Sequence, residues 1–283
     1  MISDPTPPAS DGRQCAGQTV LAVGCGSPDG QVNNGLAAAR ALAVHGAEVC
    51  VVDRDSEAIA HTLAAVTAAA PEAATASATA DVTDEAALAA AVETCTAELS
   101  APSVLYYNVG VVVSGGPAAL DVSEFRRAID INLTGAYTAI RLTLPGMRAA
   151  GRGRIITVAS VGGMRYIGYD YPAYAASKAG LIELTKAIGS AYAGEGIRAN
   201  AIAPGFIETP LIHSTAIASQ HRSVAEMLTA RHAASPTGRM GTPEDVAAAA
   251  VFLASPSSDY INAATLPVDG GLVHASSAIG PPI

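Results

Sequence analysis

Short apolar runs recur along the chain: TVLAVG, AEVCVVD, ATASATADV, SVLYYNVG, GRIITVAS, IRANAIAPG and ATLPVD. Between them lie longer, Ala-rich stretches with helical patterning. A strand that feeds a helix and then a parallel strand closes as a right-handed crossover. The alternation therefore predicts an α/β fold, a doubly wound parallel sheet with helices on both faces. The pattern occupies residues 17–273 as one domain. Residues 1–16 and 274–283 are polar or Pro-containing, lack any period, and read as tails. Ligands of such folds sit at the carboxyl ends of the strands, so the residues just after each apolar run are the candidates for function.

Composition narrows the field. The chain has 283 residues, half of them hydrophobic, enough for one large core. A net charge of -9 argues against nucleic acid or an anionic membrane as partner, since either would need clustered Lys and Arg. No apolar run approaches the ~18 residues of a membrane span. Cys15, Cys25, Cys50 and Cys95 show neither C-x-x-C pairing nor metal-ligand spacing. The expectation is a reduced, soluble, cytoplasmic protein without a metal. Lysine occurs only at Lys178 and Lys186, so a lysine within a motif carries more weight than usual.

The stretch AVGCGSPDGQVNNGLAAARALAVHGAEVCVVDRD, Ala22 to Asp55, has the order of a dinucleotide-binding βαβ unit. Gly24, Gly26 and Gly30 would bring backbone N–H groups and the next helix N-terminus to a diphosphate. Asn33 and Asn34 stand where compact loops use glycine, as Asn tolerates positive φ. Ten residues separate Gly24 from Gly35, more than a compact turn needs, and the extra ones are expected to bulge outward. Asp53 closes the second strand, where a carboxylate accepts bonds from the adenosine ribose and repels a 2′-phosphate; NAD is favoured over NADP. Arg54 beside it suits a phosphate or the adenine face. Asp81 and Val82, at the end of the third run, stand near the adenine.

The reactive candidates lie in SVGGMRYIGYDYPAYAASKAG. Tyr174 and Lys178 are four apart and share a helix face. Tyrosine, with a pKa of about 10, exchanges protons poorly at neutral pH. An ammonium at about 4 Å favours the phenolate by up to roughly 4 kcal/mol at an effective dielectric of 20. Tyr174 then acts as a general acid/base. The Ser160 hydroxyl, at the end of its strand, is placed to hold a carbonyl or alcohol oxygen beside it.

These residues resemble the short-chain dehydrogenase/reductase family from about Gln18 to Leu272. The Tyr-x-x-x-Lys pair is joined in order by NVG (Asn108 to Gly110), INLTG with Asn132, Ser160, PGFIET (Pro204 to Thr209), RMGTPEDVA and VDGG. The resemblance implies a Rossmann-type domain and a catalytic tetrad of Asn132, Ser160, Tyr174 and Lys178. Lys178 would also bind the nicotinamide ribose, and Asn132 would place a water in a proton relay. Asn108, Gly110, Pro204 and Gly205 would flank the cofactor, with Ile207 and Thr209 on its carboxamide. It also implies a homotetramer paired through the helices containing Asn132 and Tyr174.

This chain departs from the family pattern in three places. The glycine loop is longer and opens on Val23 where threonine is common, NVG replaces NAG, and Ser160 lies fourteen residues before Tyr174 where thirteen is usual. Enoyl-thioester reductases of the superfamily also have a long glycine loop, with a tyrosine seven residues before the lysine, as Tyr171 is here. Pro172 separates the two tyrosines: the residue before a proline avoids the helical region, whereas proline suits a helix's first turn. Tyr171 is thus expected outside the helix and Tyr174 within it. The reading is an NAD-dependent oxidoreductase interconverting a secondary alcohol and a ketone. An enoyl-thioester reductase and a cofactor-binding regulator without turnover are the alternatives. Gly162, Tyr166, Tyr171, Phe206 and Leu211, with Ser160, are the substrate candidates. The cluster of tyrosines from Tyr166 to Tyr174 suggests a cyclic or aromatic ketone. Glu208 to His232 reads as a helical lid.

Overall fold

The computed structural model describes residues 12–213 and 223–275. All the apolar runs form strands: β1 (Thr19–Val23), β2 (Glu48–Asp53), β3 (Thr75–Thr79), β4 (Val104–Tyr107), β5 (Gly153–Val158), β6 (Ile197–Pro204) and β7 (Thr265–Val268). Helices α1 (Asn34–Val44), α2 (Ser56–Ala69) and α3 (Glu85–Glu98) connect the first four strands. After β4 come α4 (Val122–Ile129), α5 (Gly135–Ala149), α6 (Pro172–Tyr192), α7 (Val224–Ala234) and α8 (Pro243–Ala254). The seven strands pair in parallel, in the order β3-β2-β1-β4-β5-β6-β7.

The sheet is buried on both faces because successive strand side chains point to opposite sides. Val20 and Ala22 of β1, with Val49 and Val51 of β2, join a cluster with Ala38 and Leu42 of α1, Ile59 of α2 and Val246 of α8. Leu21, Val23, Cys50 and Val52 from the same strands face Leu88 of α3, Ile140 and Met147 of α5 and Leu181 of α6. Each such side chain contributes about 1.5–3 kcal/mol when fully buried. Local signals set the helix starts. Asn33 accepts from the Leu36 N–H at 2.8 Å, and Asp55 and Asp84 cap α2 and α3 in the same manner. Thr242 and Asp245 form a reciprocal capping box on α8. A cap of this kind contributes about 1 kcal/mol.

Strand order reverses between β1 and β4, which opens a crevice at their carboxyl ends. There Asn108 donates its side-chain N–H to the Gly24 carbonyl at 2.8 Å. Gly24 has φ +73, and a Cβ on it would stand 2.5 Å from Val109 Cγ2 and 2.9 Å from the Val109 backbone nitrogen. Only glycine lets the two strand ends approach this closely.

Candidate active site

A cavity of about 610 Å³ runs along these strand ends, from Pro28 and Asp53 at one end to Tyr171, Ile212 and Arg231 at the other. Its glycine-loop end is built from the loop after β1. The loop's extra residues fold into a tight turn, Pro28–Gly30, with Asp29 at φ 56. The turn does not simply bulge outward: Pro28 and Asp29, with Gln31 after them, line the cavity, whereas Gly30 sits exposed away from its wall. The base of the loop is fixed to α2: the Ser27 N–H donates to the Ala58 carbonyl at 3.0 Å, and the Thr62 hydroxyl to the Cys25 carbonyl at 2.8 Å. Gly24, Gly26 and Asn33 do line the cavity. Asn33 also donates to the Gly26 carbonyl at 3.0 Å, so one side chain both caps α1 and closes the loop.

Asp53 meets this loop directly. Its Oδ2 accepts the Gly26 N–H at 2.9 Å, and a Cβ on Gly26 would lie 2.8 Å from the Asp53 carboxyl carbon. Glycine at position 26 therefore allows the loop to close on the carboxylate. Arg54, Asp81 and Val82 line the same end. Asp81 accepts from the Thr83 hydroxyl and backbone N–H, and these bonds hold its carboxyl below the usual range.

At the other end, α6 begins at Pro172 with Tyr171 just outside it, at φ -144 and ψ 61. Tyr174 is one turn in and Lys178 one turn further, on the same face. Lys178 is 2% exposed, and its Nζ donates to the carbonyls of Val158 at 2.8 Å and Val109 at 3.1 Å. Burial lowers its pKa to about 7. Gly110 makes room for this amine: a Cβ there would lie 3.0 Å from Nζ. Tyr174 lines the cavity, and its ring centroid is 5.8 Å from Nζ. Burial raises the Tyr174 pKa, and a hydrogen bond with Ser160 opposes that rise.

This corrects the simple expectation of a phenol depressed by its lysine. The ammonium spends its donors on two carbonyls and is itself destabilised by burial, so desolvation dominates both groups. Burial thus favours the neutral phenol, with Ser160 close enough to oppose that effect; the Ser160 Oγ accepts the Gly162 N–H at 3.1 Å.

Asn132 is fully buried in a π-helical turn, Asp130–Thr134, between α4 and α5. Such one-turn irregularities re-aim a side chain. Its Oδ1 accepts the Val111 N–H at 2.8 Å. Its Nδ2 donates to the Val111 carbonyl at 3.0 Å and the Ser177 Oγ at 2.9 Å. Ser177 in turn donates to the Tyr174 carbonyl at 2.8 Å, so Asn132 ties the loop after β4 to the helix that holds the phenol. Ser177 was not singled out in the sequence, although it lies inside YAASK.

The remaining candidates divide. Asn108, Gly110, Pro204, Gly205, Ile207, Thr209, Tyr171 and Phe206 line the cavity. Gly162 is buried behind Ser160 and shapes its turn. Tyr166 is 78% exposed and points away, because the loop swings out before turning back at Gly168, φ +89; Ile167 faces the cavity instead. The Leu211 side chain and residues 214–222, the middle of the expected lid, lie outside the described residues. Either side of them, Pro210–His213 forms a short turn, and α7 delivers Arg231 to the cavity. Arg231, Ile131, Gln31 and Ala58 are among the lining residues that the sequence did not single out.

A family model described as enoyl-(acyl carrier protein) reductase matches residues 34–273. The chain is 39% identical over 190 residues to cis-4-hydroxycyclohexanecarboxylate dehydrogenase of Sinomonas cyclohexanicum, covering 66% of this chain and 72% of the relative. It is 34% identical over 238 residues to levodione reductase of Leifsonia aquatica, covering 84% and 89%. A crystal structure of levodione reductase superposes with a TM-score of 0.84 at 33% identity, over 92% of this chain and 99% of that one. A gluconate 5-dehydrogenase from Burkholderia cenocepacia, crystallised with NADP and tartrate, gives 0.80 at 31% identity, over 94% and 99%. With the ordered motifs and the Ser–Tyr–Lys geometry, these likenesses identify the chain as an oxidoreductase of the short-chain dehydrogenase/reductase family, whose members bind a nicotinamide cofactor.

Proposed function

We propose that the protein is an NAD-dependent alcohol dehydrogenase/ketoreductase acting on a secondary alcohol or ketone of a compact cyclic substrate. The observation that carries this reading is the convergence of Ser160, Tyr174 and Lys178 on one cavity, with Ser160 close enough to the Tyr174 phenol to oppose the rise in its pKa. Relatives that act on a hydroxycyclohexane ring and on levodione support the choice of substrate class.

The residues present fit a dinucleotide. Gly24 and Gly26, packed on Val109 and Asp53 with no room for a Cβ, line the cavity beside Asn33 and Asn34 at the start of α1, and a helix N-terminus with neighbouring backbone N–H groups suits a diphosphate. Asp53 retains free lone pairs for ribose hydroxyls beyond the Gly26 bond. Lys178 would hold the nicotinamide ribose, and Ile207 and Thr209 its carboxamide.

The cofactor, when bound, supplies the hydride acceptor or donor. Ser160 holds the reacting oxygen, and Tyr174 moves the proton. A neutral phenol is ready to donate to a ketone oxygen in reduction, whereas in alcohol oxidation it must first lose its proton. Lys178 steadies the resulting phenolate, and Asn132 fixes the helix that holds both groups. Tyr171, the tyrosine of the enoyl-reductase alternative, stacks on Tyr169 at 5.4 Å outside the helix and has no lysine one turn below it.

A screen of cyclic secondary alcohols with NAD, and of the matching ketones with NADH, tests the proposal by absorbance of the reduced cofactor. Turnover of an alcohol/ketone pair is expected. Activity confined to α,β-unsaturated thioesters would overturn it.

A further inference from the structure

The substrate end of the cavity holds a cation that this chemistry does not use. Arg231, on α7, is only 5% exposed yet lines the cavity. Its guanidinium carbon lies 5.1 Å from the Tyr169 ring centroid and 4.9 Å from that of Phe206. Its Nε donates to the Tyr169 hydroxyl at 2.8 Å. Among the described residues no carboxylate comes within 4.0 Å of it. The neighbouring stretch Ser214 to Arg222, STAIASQHR, contains no acidic residue to supply one.

A guanidinium cannot shed its proton at any accessible pH, so burial leaves a permanent charge to be balanced. Two aromatic faces offset part of that cost. They leave the two terminal nitrogens, a planar fork, without an acceptor among the described residues. The group that satisfies such a fork while neutralising the charge is a carboxylate, taken by two parallel N–H···O bonds.

The position of Arg231 relative to the catalytic phenol says where that carboxylate would be. Tyr174 meets Tyr171 edge to face at 5.3 Å, Tyr171 stacks on Tyr169 at 5.4 Å, and Tyr169 meets the guanidinium. A row of rings thus joins the proton-transfer group to the cation; Tyr174 and Tyr171 line the cavity with Phe206 and Ile212, and Tyr169 backs them. A molecule with its alcohol or ketone at Tyr174 and its carboxylate at Arg231 would lay an apolar framework along that row.

We propose that Arg231 is the substrate's carboxylate anchor, and that the substrate class is a hydroxy or keto carboxylic acid in which an apolar ring separates the two functions. The proposal rests on the alcohol/ketone reading above for the identity of the reacting end. The charge recognition stands on Arg231 alone.

The test uses the full chain saturated with NAD, so that a bound ketone cannot react. Binding of 4-oxocyclohexanecarboxylate and of its uncharged methyl ester is measured by calorimetry in the unmodified protein, Arg231→Met and Arg231→Lys. The acid is expected to bind at least about thirtyfold more tightly than the ester. That ratio should fall to within about threefold in Arg231→Met and to an intermediate value in Arg231→Lys, which keeps the charge but loses the fork. Equal binding of acid and ester by the unmodified protein, or a ratio that survives in both variants, overturns the anchor. If Arg231→Met does not fold, the ratio in Arg231→Lys decides.

Turnover of the same two ketones with NADH separates the two claims. Neither ketone reduced while the acid is still preferred in binding would refute the carbonyl chemistry and leave the anchor standing. Both reduced with equal kcat/KM would do the reverse.

Discussion

Replacing Asp53 with Asn removes one negative charge while retaining shape and an acceptor for the Gly26 N–H, now held at 2.9 Å. A 2′-phosphate on the adenosine would lie beside this side chain. At about 5 Å and an effective dielectric of 20, one unit of like charge costs roughly 3 kcal/mol. Asp53 is half-exposed, so solvent reduces that figure. Arg54, lining the same end, opposes it. A net preference for NAD over NADP of about a hundredfold in kcat/KM, or about 2.7 kcal/mol, is the expectation for the unmodified protein. Asp53→Asn should reduce the preference to tenfold or less, on the order of 1.4 kcal/mol. The loss should come mainly through NADP gaining, because the glycine loop keeps its tie. Initial rates with both cofactors on one substrate at fixed ionic strength provide the assay, since phosphate recognition is screened by salt. Equal rates with NAD and NADP in the unmodified protein would show that Arg54 governs the adenosine end. An unchanged preference in Asp53→Asn would show that the carboxylate serves only the loop.

Four further outcomes are expected. Tyr174→Phe should lower kcat at least about a hundredfold while fluorescence titration shows cofactor binding within a few fold; near-normal turnover would reject Tyr174 as the proton-transfer group. Because burial raises the Tyr174 pKa, alcohol oxidation should accelerate as pH rises from neutrality while ketone reduction does not, and parallel profiles would count against this assignment. Lys178, held at about 7 against 10.5 in an unfolded chain, makes an unfavourable contribution that is full below pH 7 and is relieved as pH rises toward 10.5. Denaturant unfolding should therefore show the unmodified protein gaining stability relative to Lys178→Met over that interval. A homotetramer is expected, consistent with the exposed Phe125 of α4 and Tyr137 of α5, and a monomeric mass by light scattering at micromolar concentration would refute it.

Much of the fold was legible because its signals are local. A strand buried on both faces reads as an unbroken apolar run, and the helix starts bear their own caps in Asn33, Asp55, Asp84 and Thr242. Pro172 alone was enough to put Tyr171 outside α6 and Tyr174 inside it. The site was legible where spacing fixes geometry, as it does for Tyr174 and Lys178. It was not legible where the tertiary path of a loop decides. Gly30 and Tyr166 each lie within a few residues of true lining positions, yet loops without a period carried them outward. Arg231 was hidden for the opposite reason. An arginine in a helix turn reads as surface, and only packing by Tyr169 and Phe206, far away in sequence, makes it an interior cation.

The charge states of the catalytic pair show the same limit. Pairing Tyr174 with an ammonium four residues on predicts a depressed phenol, and that arithmetic holds only if the amine stays charged and faces the ring. Here Lys178 is enclosed by α6, the loop after β4 and the end of β5, and two carbonyls turn it away. Both groups are pushed toward neutrality by one cause, removal from water. Each therefore depends on charge arriving from elsewhere in the cavity. Negative charge near Lys178 raises its pKa and restores the ammonium, and the ammonium then favours the phenolate. Negative charge brought to that part of the cavity would therefore ease proton loss from Tyr174. That dependence is a property of burial that no spacing of residues along the chain could reveal.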